Sequence, residues 1–584
     1  MRRLATLTLV FFLFPALLPA QQTSVVPTIR AGAQLVVVDV IVRDKNGNPV
    51  RNLPKSTFTV TEDKKQQSIQ TFEEHHAGAP AQQSVQPVLP PGIFSNYHPL
   101  STDAPLNIIL FDTLNTPVGD LMYVRQQMNN YIKKARPGQR IAIFGMASHL
   151  YYLQGFSSDP ETLRRAIAGG KTVRQSPMVG TEDMAELNSS VSGPSLPDAA
   201  LFADQFAKEE AASRNQLRAQ YTLDSLNQLA RYLTGFPGRK NLIWFSGNFP
   251  VSILPQASDM IDPFTVYGDF SDQYRETVNL MAKAQVAVYP IDARGVFGAP
   301  VLRADQSSFS AGPQLRDQVE AFHTQTGEER ATMLQMADDT GGKAFINTND
   351  LASAVKDAIA DGSDYYTLTY SPTNKANDGF FRKIKITAPG DYRLRYRSGY
   401  YAASPEEIRK EAKKKPARVA TMAESSMRRG APEPTQIFLR MRVTPIGTEP
   451  GGSVTSTAAA DNAQSPKVKG PYRNYTLTIS ADPAQMSAKL LPDGRRQMDL
   501  EFTSILYDID GNPQASITNQ LHGALDAQAY NDLFAHGVRV TQQISAPAKG
   551  EYFLRTGVHD LNNDALGAVE IPLAITRQLP AINK

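Results

Sequence analysis

The sequence predicts an α/β chain: a doubly wound, mostly parallel sheet with flanking β-sandwich domains. Three observations predict it. Continuous apolar runs at Leu106–Asp112 (LNIILFD), Lys240–Phe245 (KNLIWF) and Val286–Ile291 (VAVYPI) have the composition of strands buried on both faces. Stretches with apolar spacing of three and four separate them, so strand and helix alternate as in a parallel sheet covered on both sides. Before residue 76 and after residue 364 the texture changes to short strands and turns, the mark of antiparallel sandwiches.

Taken in order, Met1-Arg2-Arg3, the apolar Leu4–Leu18 and the small Ala20 have the layout of a secretory signal over residues 1–20. Residues 31–76 read as half of a sandwich, with strands at Gln34–Val42, Phe58–Glu62 and Ser68–Phe72 and a turn at Asp44–Pro49 (DKNGNP). Residues 77–105, rich in Pro, Gln, Ser and Ala without periodicity, read as a linker. The α/β domain spans 106–363. It has further strands at Arg140–Met146, Leu150–Phe156 and Lys343–Asn347, and helices up to Ala135 and at Asp159–Ala168, Gln216–Leu233, Ser271–Ala284, Glu328–Asp338 and Leu351–Ala360. Polar insertions interrupt it at 169–213 and 297–325. Strands at 364–401 complete the first sandwich, because each set alone would expose an apolar face and unpaired edges. A charged linker covers 402–434 and a second sandwich covers 435–580, where Asp508–Pro513 (DIDGNP) repeats the earlier turn.

Composition narrows the function. A length of 584 residues suits about three to five domains, and 41% hydrophobic content is ample for packed cores. The formal charge of +3, two units of which sit in the signal segment, is no footprint for nucleic acid. The absence of Cys excludes disulfides, thiolate metal sites and thiol nucleophiles. No stretch after the signal is long and apolar enough to span a bilayer, so the mature chain is expected to be exported to the periplasm or beyond. Nucleophile-elbow, H-E-x-x-H and Walker patterns are absent from the sequence.

Five segments occur in a telling order: Phe111–Thr116 (FDTLNT), Lys240–Gly247 (KNLIWFSG), Val286–Gly295 (VAVYPIDARG), Thr340–Phe345 (TGGKAF) and Tyr365–Tyr370 (YYTLTY). With the VVVDVIVRDKNGNPVRNL segment and the Arg397–Tyr400 ending, residues 34–401 resemble the secreted von Willebrand factor A-related family of acidobacterial type. The resemblance implies a divalent-ion site at the carboxyl ends of the strands, built from Asp-x-Ser-x-Ser, a distant Thr and a distant Asp, where Mg²⁺ takes oxygen ligands. Asp112 matches the leading Asp, Thr116 the second hydroxyl and Thr172 the distant Thr. Leu114 stands at the first hydroxyl position and Ser246, or nearby Asn248, at the closing Asp, so the site is degenerate and Mg²⁺ is expected to bind weakly or not at all. Asp112 and Thr116 equally suit a helix cap.

Other candidates compete. Asp292 and Arg294 lie past a strand end, where α/β sheets place ligands, although a local Asp–Arg turn pair is the simpler reading. His75 and His76 lack a third ligand at metal spacing. Tyr392–Arg397 (YRLRYR) aligns three Arg on one strand face, suited to an acidic partner or to solvent. The function expected is therefore non-catalytic: an exported, adhesion-type interaction protein binding protein or matrix partners through the A-like domain. The alternatives are an exported hydrolase with Glu182, Asp183 and Glu186 in the insertions, and a structural envelope component.

Overall fold

The computed structural model describes residues 35–76, 89–97, 105–134, 139–168, 197–247, 270–296, 313–402, 422–451 and 471–579. The expected signal segment lies outside them. The chain opens with β1 (Val36–Arg43), β2 (Thr59–Glu62), β3 (Lys65–Gln67) and β4 (Ile69–His75). A further strand, β5 (Ile93–Ser95), lies within the segment expected to be a linker.

The central sheet follows. Its strands are β6 (Leu106–Asp112), β7 (Ile141–Met146), β8 (Leu150–Ser157), β9 (Lys240–Ser246) and β10 (Val286–Asp292), in the order β10-β9-β6-β7-β8. All pair in parallel except β8, which runs antiparallel to β7. The chain starts at β6 in the middle, winds outward to β8, then returns to β9 and winds the other way. The switch point therefore falls between β6 and β9.

Helices α1 (Val118–Lys134), α2 (Pro160–Ala168), α3 (Pro197–Leu233), α4 (Ser271–Lys283), α5 (Pro313–Thr340) and α6 (Leu351–Asp361) connect the strands. Strand β6 explains the continuous apolar run. Its Leu106, Ile108 and Leu110 join a core with α3, α4 and α5, whereas Ile109 and Phe111 join one with α1, α2 and α6. Alternate residues of one strand thus fill two cores, as period-two geometry requires.

Two helices differ in length from expectation. α3 begins at Pro197 and α5 at Pro313, so the ends of both polar insertions are helical. Mixed polarity in these turns hides the 3.6-residue period from the sequence. The strand expected at Lys343–Asn347 reduces to one parallel bridge between Ile291 and Phe345. Gly341 at φ +77° and Asn347 at φ +56° bracket the segment with left-handed backbone, which ends extended structure on both sides.

Strands β11 (Tyr365–Tyr370), β12 (Phe381–Thr387), β13 (Arg393–Arg395) and β14 (Gly399–Tyr401) pair back onto the chain start. They form two four-stranded sheets, β13-β1-β11-β4 and β14-β12-β2-β3. Alternate residues Val36, Val38, Val40 and Val42 of β1 share one core with Phe58, Val60, Leu368, Ile384 and Ile386. His75 lies opposite Tyr365 in the ladder, so the chain leaves this unit and re-enters it at neighbouring positions.

The charged connector ends in a short helix, α7 (Met422–Ser426). Beyond it lie β15 (Leu439–Gly451), β16 (Tyr472–Ala481), β17 (Lys489–Leu490), β18 (Arg496–Tyr507), β19 (Pro513–Leu525), helix α8 (Ala527–His536), β20 (Val538–Pro547), β21 (Phe553–Asp560) and β22 (Ala565–Pro572). One sheet orders β20-β16-β15-β5, and the other carries β17, β18, β21 and β22 with β19 on β18. Both sheets bury a common core that includes Met441, Leu477, Phe502 and Val558. The segment expected to be a linker therefore supplies an edge strand here: Ile93, Phe94 and Ser95 pair with Arg442, Met441 and Arg440. Among the described residues no helix is long and apolar enough to cross a membrane.

Candidate functional site at the carboxyl ends of the central sheet

Strands β6, β9 and β10 end on Asp112, Ser246 and Asp292, all fully buried. The loop after β6 hangs on β7: the N–H groups of Thr113 and Leu114 and the Thr113 hydroxyl all donate to the Met146 carbonyl, at 2.8, 3.1 and 2.7 Å. This turn sends Leu114 down into the core rather than toward the sheet crown.

The Asp112 carboxylate is closed by the protein's own donors. Oδ1 accepts the Asn115 N–H at 2.9 Å. Oδ2 accepts from Asn115 Nδ2 at 2.8 Å, Ser246 Oγ at 2.8 Å and Trp244 Nε1 at 3.2 Å. Burial raises the Asp112 carboxyl above its ordinary range, against the lowering effect of Asn115, Ser246 and the Arg218 charge. Thr116 is nearby but turned to another task, accepting the Gly247 N–H at 2.9 Å and tying the β6 loop to the end of β9.

Arg218, from α3, reaches the same point. Its Nε donates to Asn115 Oδ1 at 3.0 Å, while Asn115 Nδ2 also donates to Thr222 Oγ1 at 2.9 Å. Burial lowers Arg218, and the charges of Asp112 and Glu329 oppose that shift.

The cluster continues along the crown. Arg294 grips Asp292 through Nε at 2.9 Å and a terminal nitrogen at 3.1 Å, and donates to Glu329 at 2.6 Å. Burial alone would lower Arg294, but its bonds and charges with Asp292 and Glu329 raise it. Arg330 adds a second cation 3.7 Å from Asp292. Burial also raises half-buried Asp120 at the rim.

The expected pair Asp292–Arg294 is thus part of a larger network, and the structure brings Asp112, Thr116 and Ser246 together. Thr172, Asn248, Glu182, Asp183 and Glu186 lie outside the described residues. His75 is elsewhere, stacked on Tyr365 at 4.5 Å in the first sandwich, with His76 next to Glu74. The arginines of the YRLRYR strand divide: Arg395 pairs with Asp361, Arg397 lies over the Tyr400 ring and Arg393 is exposed. Residues missed from the sequence are Asn115, Arg218, Thr222, Glu329 and Arg330. Asn115 sits inside the recognised FDTLNT segment, and the others lie on helices whose polar residues read as solvent-facing. Among the described residues, no group of three or more His, Cys, Asp or Glu is arranged to hold a metal ion.

The fold and site define a doubly wound α/β sheet with a charge cluster at its switch point. No family model matches the chain, and no curated protein matches it. Among solved structures, the chain is similar to an aerotolerance-related membrane protein from Bacteroides fragilis NCTC 9343, with 10% identity, 44% of this chain and 98% of that one covered, and a TM-score of 0.23. It is similar to a von Willebrand factor type A protein from Catenulispora acidiphila at 7% identity, covering 80% and 65%, with a TM-score of 0.18. It is also similar to the ArnB paralog VWA2 from Sulfolobus acidocaldarius at 9% identity, covering 88% and 75%, with a TM-score of 0.19.

Proposed function

We propose that the chain is an exported, non-catalytic interaction protein of the von Willebrand factor A-related kind, whose A-like domain binds a protein or matrix partner without a divalent ion. One observation carries the reading: both Asp112 oxygens are taken by Asn115, Ser246 and Trp244, with Leu114 buried in the core where a ligand hydroxyl would be needed. Mg²⁺ demands near-octahedral oxygen ligation and dehydrates reluctantly, and these residues do not fit it. The same closure argues against hydrolysis at the crown. A general base needs a lone pair within reach of a water or substrate, whereas Asp112 is sealed and Asp292 and Glu329 are held by Arg294.

The test pairs two measurements on the full chain. Capture of envelope or matrix components is expected to be equally efficient in Mg²⁺ and in chelator, with a blank screen against ester, peptide and glycoside substrates. Hydrolysis lost on replacing Glu182, Asp183 or Glu186, or capture that requires Mg²⁺, would contradict the reading.

A further inference from the structure

We propose that the Arg218 guanidinium is the resident cation of this crown, acting on Asp112 through Asn115 where a divalent ion would otherwise act, and excluding such an ion even when its ligands are restored. The inference rests on the reading above, in which the natural crown takes no Mg²⁺.

Three features carry it. The first is orientation: Asn115 presents Oδ1 to the cation at 3.0 Å and Nδ2 to the carboxylate at 2.8 Å, so its amide dipole lies between opposite charges. Amide O and N are distinguished by such a network, and here both ends agree with it. The second is burial. Arg218 is only 5% exposed and Asp112 is fully buried, and a charge so placed is tolerable only when compensated. A second bond, from a terminal nitrogen to Asn215 Oδ1 at 3.3 Å, fixes the guanidinium in place.

The third is charge balance. The inner crown sets three carboxylates, Asp112, Asp292 and Glu329, against three guanidiniums, Arg218, Arg294 and Arg330, with Asp120 half-buried at the rim. The inner cluster is therefore charge-balanced as built. A divalent ion would bring two further positive charges into a buried, already compensated site. Ser246→Asp offsets one of them and Arg218→Met the other, so restoring the ligands alone leaves an excess.

The experiment uses full-length variants titrated with MgCl₂ by calorimetry. The Leu114→Ser/Ser246→Asp double variant, which supplies the missing oxygen ligands, is expected to stay a poor Mg²⁺ binder. Adding Arg218→Met should raise its affinity by at least ~30-fold, a coupling typical of groups that share one site. Tight Mg²⁺ binding by the double variant overturns the proposal, as does a triple variant that binds no better. Micromolar binding by the natural chain overturns the metal-free reading instead, so the two failures are distinguishable.

Single substitutions decide the matter should the triple variant not fold. Arg218→Met is expected to lower the thermal midpoint, and Arg218→Lys to stay near the natural value. No loss in the Met variant, or an equal loss in both, rejects a role for the charge.

Discussion

Glu433 is the residue whose titration reaches furthest into stability. Its carboxylate accepts the Glu570 N–H at 2.7 Å, and burial pushes its pKa up to about 7, against the lowering charge of Arg555. Arg555 is itself fully buried and donates to the Ser426 and Pro432 carbonyls and to Glu570. Because the folded value lies above the ordinary 4.5, the folded chain holds a proton that the unfolded chain has lost. Stability from this group therefore falls as pH rises from about 4.5 to about 7, and the full cost remains above that. Glu433→Gln keeps an acceptor for the Glu570 N–H without the charge. Urea unfolding should show it more stable than the natural chain by up to about 3 kcal/mol at pH 8 and unchanged at pH 4. A gain of equal size at both pH values would rule out ionisation as the cause. Buried Lys240, lowered by burial to about 7, works in the opposite sense, adding stability as pH rises from there toward 10.5. At this scale Asp112 and Asp292 were legible because each ends an apolar strand, and Thr116 through its place in the family pattern after Asp112. Arg218 was not: it lies 103 positions from Asn115, on a helix where polar residues read as solvent-facing.

Among the elements, strand β5 departs most from what the sequence suggests. Three residues in a Pro-rich stretch are too few to show any period, so the pairing with β15 had no local signal. Its anchor is Asn96, fully buried, which donates to the Pro434 and Ile437 carbonyls and accepts the Leu439 N–H. Asn96→Ala removes a partner from three backbone groups, of which the Pro434 carbonyl keeps the Ala568 N–H, and should cost about 2–4 kcal/mol, read as an earlier unfolding transition of the second sandwich. A change under about 0.5 kcal/mol would mean that β5 is dispensable. The two repeated turns were legible, by contrast, because their chemistry is local. In each, the leading Asp accepts N–H groups two and four residues on, and a Gly at φ +86° makes the reversal. A different constraint sits at Gly342, where an added Cβ would lie 1.8 Å from the Val288 carbonyl oxygen. Gly342→Ala should force α5 away from β10 and sharply reduce soluble yield; wild-type yield and thermal midpoint would show that the junction can yield.

For the whole molecule, the central sheet is joined to both sandwiches by buried charge. Arg231 of α3 donates to the Asp564 side chain and carbonyl and to Gln436. On α6, on the other face of the sheet, Asp361 accepts from Arg43 and Arg395. The pairing of β1 with β11 and of β2 with β12 makes residues 35–76 and 365–401 interdependent. Removing 35–76 should expose 365–401 to limited proteolysis while the central sheet, whose two cores take no residue from β1–β4, stays protected. Unchanged protection of 365–401 would mean those strands stand without their partners. This interlock was legible only as a need for partners, since edge pairing between segments some 300 residues apart has no local sequence signal. Over both sandwiches and the sheet stands the crown closed by its own side chains. Its direct measurement is calorimetric titration of the full chain with MgCl₂ up to about 5 mM, a range that covers even weak extracellular sites. No saturable heat is expected, in the natural chain or in Asp112→Ala. Saturable binding in the micromolar range, abolished by Asp112→Ala, would contradict a crown closed by Asn115, Ser246, Trp244 and Arg218.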